Sequence, residues 1–140
     1  MKVLFICRAN VGRSQMAEAF FADLAPHHEA FSAGTHVEPE LEGTPVANTV
    51  INSMREIGMT LEGKARNQLT PAMVEAADKV IALNSADELP DYLRRSPKLE
   101  VWNVPDMFQM DEQFYRDVRA LIREKVLDLV NRLEGKSASF

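Results

Sequence analysis

The sequence predicts an α/β fold, a doubly wound four-stranded parallel sheet flanked by helices. Three observations carry that expectation. Short apolar runs alternate with stretches of helical periodicity, as repeated β–α units require. The first run, Lys2-Val3-Leu4-Phe5-Ile6, reads as a buried strand and passes straight into a polar loop and then a helical pattern. At 140 residues, the chain suits one domain, 1–140, burying about two-thirds of its unfolded surface.

Each element has its own signal. Strand one covers 2–6. Helix one is expected from Ser14 as N-cap, with Met16, Ala17, Phe20, Phe21 and Leu24 on one stripe and Pro26 as its stop. A short second strand fits 29–33, and Gly34 and Gly43 bracket a polar loop containing Pro39. Thr44-Pro45 reads as an N-cap with proline at the first helical position. Val46, Val50, Met54 and Ile57 then recur at three- and four-residue steps until Gly58 ends the helix.

Thr70-Pro71 starts a further short helix in the same way, and 79–83 is the third strand. Ser85 with Glu88 suggests a capping box for a short helix that Pro90 interrupts. The fourth strand spans 99–104. Asp111 caps the last and longest helix, in which Phe114, Val118, Leu121, Ile122, Leu129 and Leu133 keep the helical period before Gly135. Residues 136–140 carry no pattern and read as a frayed tail. No internal repeat, linker or low-complexity segment interrupts this order.

Composition narrows the function classes. Apolar and charged fractions of 46% and 26% are those of an ordinary globular protein. No apolar run reaches the roughly 18–20 residues needed to span a bilayer, and the first strand is too short for a secretory signal, so no membrane partner is expected. The single cysteine excludes an internal disulfide framework and a cysteine-based metal cluster, and points to a reducing cytoplasm. A net charge of −5 with no basic stretch argues against nucleic acid. Nothing in the pattern fixes an oligomeric state.

The chemistry concentrates in Cys7-Arg8-Ala9-Asn10-Val11-Gly12-Arg13-Ser14. That cysteine ends a buried strand, at the topological switch point of a doubly wound sheet. Brought round tightly, the backbone of Arg8, Ala9, Asn10, Val11, Gly12, Arg13 and Ser14 aims several N–H groups at one point. Arg13 adds a planar fork and the following helix its positive end. Such a nest holds a tetrahedral dianion over sulfur, which is the chemistry of a cysteinyl-phosphate intermediate. A free thiol titrates near 8.5, and guanidinium and helix N-termini lower that to about 3.5–7.5 in documented cases; Arg13, the amide nest and the Ser14 hydroxyl all favour the anion, so a thiolate is expected at Cys7. Asp106 follows the fourth strand and is the candidate proton donor to the leaving group, and then the base for water. Asn10 suits a positive φ that braces the loop, and Gly12 allows close backbone approach. No metal or other cofactor is called for.

Other polar and aromatic residues have simpler readings. His36 reads as a surface loop residue, His27 and His28 as solvated at a helix end, and Trp102 as packing.

The C-x5-R-S pattern after the first strand resembles the low-molecular-weight protein tyrosine phosphatases and their relatives, the thiol-linked arsenate reductases. Ser32-Ala33-Gly34-Thr35, Ala77-Asp78-Lys79-Val80-Ile81-Ala82-Leu83 and Val104-Pro105-Asp106 look like further family landmarks in the same order. The resemblance implies a phosphotyrosine protein phosphatase I-like fold, and it assigns catalysis to Cys7, Arg13 and Asp106. The implied partner is a phosphorylated protein or small aryl phosphate. Four departures stand out. Ala9 and Gly12 replace the family's usual glycine and frequent second cysteine, and Met107 replaces the proline after the acid. The usual aromatic pair of the cleft wall is missing, with Met107 and Phe108 in its place.

Arsenate is a near-identical oxyanion, so arsenate reduction is the alternative function. With Cys7 as the sole thiol it needs an external thiol and a redoxin partner. A phosphocarrier would lack Arg13, and a non-catalytic phosphate-binding module would lack a working Asp106.

Overall fold

The structure is a computed structural model that describes residues 1–135, so the expected frayed tail at 136–140 lies outside the described residues. Four strands, β1 (Lys2–Cys7), β2 (Glu29–Gly34), β3 (Lys79–Ala82) and β4 (Leu99–Val101), form one sheet in the order β2-β1-β3-β4. All pairings are parallel. The chain leaves β1 for one neighbour and later returns to the other, so the order reverses at β1. The carboxyl end of β1 therefore opens into the crevice where ligands of such sheets bind.

Both faces of the sheet are covered. Val3, Phe5 and Cys7 pack toward α1 (Arg13–Leu24) and α5 (Glu112–Leu133), against Met16, Phe20, Phe21 and Ile122. Leu4 and Ile6 pack on the other side with Val74 of α3 (Pro71–Ala76) and Leu93 of α4 (Asp91–Arg94). This is why β1 reads as an unbroken apolar run: a parallel strand buried on both faces needs no polar alternation.

Several elements form for the expected reasons. The Thr70 hydroxyl accepts from the Met73 N–H, and the Asp111 carboxylate accepts from the Phe114 N–H at 2.9 Å. Along α5, Val118, Ile122 and Leu129 are buried as expected, joined by Val126 and Val130.

Others depart from expectation. Gly12, not Ser14, occupies the N-cap of α1, and Ser14 lies inside the first turn. The helix expected at Thr44-Pro45 begins only with α2 (Asn48–Arg55). Pro45 instead bridges Ala65 in antiparallel fashion, and the Arg66 N–H donates to the Thr44 carbonyl at 3.0 Å. Pairing with a distant segment has overridden the local capping signal. Ile57 is consequently exposed, beyond the buried Val50 and Met54. Ser85 and Glu88 form no capping box; residues Ala86–Glu88 make a 3-10 turn whose N-cap side chain caps nothing. β4 stops at Val101 because Asn103 adopts a left-handed φ of 57°, although Trp102 and Val104 still donate to the Ala82 and Leu83 carbonyls.

Two arginine–carboxylate clusters tie α5 to the rest. Arg116 and Arg119 hold Glu56 beyond α2, and hydrogen bonds from them, Arg116 first, bring its carboxyl down to about 2. Arg132 grips Glu100 of β4 through both of its terminal nitrogens, at 3.1 and 2.9 Å, with Trp102 Nε1 donating to the same carboxylate at 2.7 Å. Arg132, above all, brings Glu100 down to about 2. No helix among the described residues is long and apolar enough to cross a membrane.

Candidate active site

Cys7 is the last residue of β1, 2% exposed, with its carbonyl accepting from the Thr35 N–H at 2.9 Å. The loop that follows turns back directly over the end of β2. A β-carbon built on Gly34 would lie 2.7 Å from the Arg8 carbonyl oxygen and 2.8 Å from the Asn10 nitrogen. Only glycine fits there, because both obstacles are backbone atoms.

Asn10 braces the loop from within. It is wholly buried with φ 54°, the left-handed conformation that asparagine tolerates. Its Nδ2 donates to Ser14 Oγ at 2.8 Å and to Ser32 Oγ at 3.0 Å. Its Oδ1 accepts from the Asn67 N–H at 2.8 Å and from Gln15 Nε2 at 3.2 Å. The Ser32 hydroxyl donates in turn to Glu18 Oε1 at 2.7 Å, and Glu18 is paired with Lys64 at 3.0 Å. Among the described non-glycine residues only Asn10, Asn103 and Gln109 have positive φ, so Ala9 meets no left-handed strain in the place of a glycine.

The sulfur sits on top of this network. Ser14 Oγ is 2.9 Å from Cys7 Sγ. Because Asn10 already donates to that oxygen, the Ser14 hydroxyl proton is free to point at sulfur. Ser14, expected as a helix cap, is thus spent on the cysteine. Arg8 contributes its backbone to the loop, while its guanidinium turns outward to Glu88 at 2.8 Å.

Arg13 is 7% exposed and is oriented by main-chain acceptors. One nitrogen, Nη1, donates to the carbonyls of Val104 at 2.9 Å and Leu83 at 3.2 Å, which follow β4 and β3 respectively. The other, Nη2, is 3.8 Å from Asp106 Oδ2. Asp106 is 59% exposed, and its Oδ1 accepts from the Phe108 N–H at 3.2 Å. Met107 beside it is buried, and Phe108 is 74% exposed. Of the two residues expected to form an apolar wall, only Phe108 is free on the surface.

The structure brings Cys7, Asn10, Arg13, Ser14 and Asp106 together at the end of β1, joining the loop after β1 to the loop after β4. His36 is exposed beside this loop: its N–H donates to the Arg8 carbonyl at 2.8 Å, and it lines a groove with Arg8, Thr35, Gln68, Glu88 and Tyr92. Sequence reasoning missed Gln15, Glu18, Ser32, Lys64 and Asn67 as supports. The available signal was Gln15, a polar residue among the apolar positions of α1 and only 2% exposed. Among the described residues, no group of three or more His, Cys, Asp or Glu side chains stands ready to hold a metal ion.

Comparison with known proteins places the chain among relatives of one family. The family model described as low molecular weight phosphotyrosine protein phosphatase matches residues 2–139. A glutaredoxin arsenate reductase from Synechocystis is 29% identical over 94% of this chain and 98% of its own. A probable low molecular weight protein-tyrosine-phosphatase, EpsP, from Ralstonia solanacearum is 24% identical over 95% of this chain and 96% of its own. Among solved structures, Vibrio vulnificus Wzb in complex with benzylphosphonate superposes with a TM-score of 0.85 at 22% identity, covering 94% of this chain and 97% of that one.

Proposed function

The chain belongs to the low-molecular-weight phosphotyrosine protein phosphatase family, and on that premise we propose that it hydrolyses aryl phosphomonoesters, phosphotyrosine in proteins or small aryl phosphates, through Cys7. The observation that carries this reading is the pairing of a Ser14 hydroxyl with the Cys7 sulfur at 2.9 Å, beside a guanidinium held by two carbonyls.

The Cys7 thiolate attacks phosphorus in line with the ester bond. As the S–P bond forms, the P–O bond to the leaving group breaks, and Asp106 gives its proton to the departing oxygen. Arg13 and the amides of residues 8–14 carry the charge on the equatorial oxygens, as preorganised electrostatic stabilisation requires. Asp106, now a carboxylate, takes a proton from water; that water attacks phosphorus, the S–P bond breaks, and phosphate leaves with the thiolate restored. The buried Asn10 network supports this cycle by keeping the loop rigid while charge moves through it. A reducing compartment such as the cytoplasm, where a lone thiolate survives, belongs to the same reading.

Arsenate reduction is the second reading, favoured by the likeness to the Synechocystis reductase. With one cysteine in the chain, the two electrons that convert arsenate to arsenite come from external thiols, which end as a disulfide. The test compares p-nitrophenyl phosphate hydrolysis by the wild type, Cys7→Ser and Asp106→Ala, with arsenate reduction by glutathione and a glutaredoxin in parallel. Esterase activity lost in both variants, without arsenate turnover, supports the phosphatase. Arsenate turnover lost in Cys7→Ser, with negligible esterase activity, supports the reductase.

A further inference from the structure

The loop carrying Asp106 is anchored to the anion loop on both flanks of the acid. Asp106 and Phe108 are exposed, yet Met107 between them is 3% exposed and belongs to the main core. Its carbonyl accepts from the Met110 N–H at 3.0 Å, closing a turn in which Gln109 has φ 61°. Its terminal methyl occupies the space beside Gly12: a β-carbon on Gly12 would come within 2.7 Å of Met107 Cε, with Val50 Cγ2 next at 3.7 Å. The methyl therefore fills the volume that any side chain at position 12 would claim. On the other flank of Asp106, Val104 is buried and its carbonyl holds Arg13. The acid is thus held between two anchors, one on Arg13 and one on Gly12.

We propose that Met107 is a positioning residue whose thioether, seated against Gly12, ties the acid loop to the anion loop, so that Gly12 and Met107 act as one unit in aiming the Asp106 carboxylate. The inference rests on the reading of Asp106 as general acid. It gives a physical role to two positions where this chain departs from its family pattern: the small residue at 12 makes room for the long one at 107. A flexible thioether adapts to such a gap better than a branched side chain does. Displacing its tip by the width of a methyl group moves the carboxylate next to it, and misplacements of that size cost about a hundredfold in rate in documented cases.

The experiment compares wild type, Gly12→Ala, Met107→Ala, the double variant and Asp106→Asn on aryl phosphates with leaving groups of graded acidity. Vanadate affinity is measured on each as a check on the anion loop. General-acid loss falls on poor leaving groups and spares good ones, so the slope of rate against leaving-group acidity reports the Asp106 proton. The expected result is a steeper slope in Gly12→Ala and Met107→Ala, with losses of roughly tenfold to a hundredfold on the poorest leaving group. Vanadate affinity stays near that of wild type in Met107→Ala, which leaves the anion loop itself unaltered. The double variant is expected to be no worse than Met107→Ala alone, because the clash and its target are then both gone. A wild-type slope in Met107→Ala, or losses that simply add in the double variant, overturns the proposal. An unchanged slope in Asp106→Asn instead overturns the assignment of the acid on which it rests.

Discussion

Ser14 Oγ lies 2.9 Å from Cys7 Sγ and is itself the acceptor of a 2.8 Å hydrogen bond from Asn10. The direction of that chain matters: each donor is committed, and the hydroxyl proton at its end is left for sulfur. A hydrogen bond to a charged group contributes about 1.5–3 kcal/mol. In the proposed cycle that stabilisation acts twice, when the thiolate attacks and when it leaves.

Ser14→Ala is therefore expected to slow breakdown of the cysteinyl phosphate by roughly tenfold to a hundredfold. Stopped-flow traces with p-nitrophenyl phosphate should show a burst of nitrophenolate followed by a slow steady state. A variant with wild-type turnover would mean that the hydroxyl has no part in the chemistry.

Gly34→Ala should disable the site from outside it. The added β-carbon meets the Arg8 carbonyl and the Asn10 nitrogen at 2.7 and 2.8 Å, and backbone yields less readily than a side chain. Overpacking of this kind costs about 1–3 kcal/mol, and here the displaced atoms are the anion loop itself. Urea denaturation should register the lost stability, and phosphate should no longer compete with substrate at its former concentration. A stable variant with unchanged inhibition by phosphate contradicts this.

Arg13→Lys tests whether the guanidinium is needed as a fork. A lysine cannot hold the Leu83 and Val104 carbonyls and still present two parallel donors. Removing one preorganised donor to a developing anion costs about a hundredfold to a thousandfold, so kcat should fall in that range. Loss confined to KM would show instead that Arg13 binds substrate and transition state equally.

Acid should loosen the attachment of α5 to the sheet. Glu100 is lowered from about 4.5 to about 2 in the folded chain, chiefly by Arg132. Its contribution is complete above the unfolded value and disappears as pH falls through the folded one. Melting temperature should decline through that window, and Glu100→Gln should flatten part of the decline. An identical acid profile for both proteins would remove Glu100 from the account. The pair is partly exposed, so the effect should also shrink with added salt.

The fold was largely legible because a strand buried on both faces, such as β1, declares itself as an apolar run, and proline after threonine marked α3 well. The same signal at Thr44-Pro45 failed because residues 64–66 pair with that segment, a contact invisible to local reasoning. Cys7, Arg13 and Asp106 were legible as candidates from spacing and position. Ser14 was legible as a hydroxyl favouring the Cys7 anion, but not as lying inside the helix, because a capping serine and one a turn further on look alike in sequence. The supports Asn67 and Ser32 come from distant segments, and only the fold brings them to Asn10, with Lys64 behind them on Glu18. Met107 stood out only as the replacement for a proline after the acid; its partner at Gly12 is 95 positions away.

The most direct test of the thiolate mechanism is rapid-quench mass spectrometry of the enzyme mixed with p-nitrophenyl phosphate, using Asp106→Ala to slow hydrolysis of the intermediate. The account predicts a phosphoryl group bonded to the Cys7 sulfur within the first turnover, and no such adduct or activity in Cys7→Ala. Hydrolysis that persists in Cys7→Ala, or proceeds in the wild type with no phosphorylated cysteine at any quench time, would contradict it.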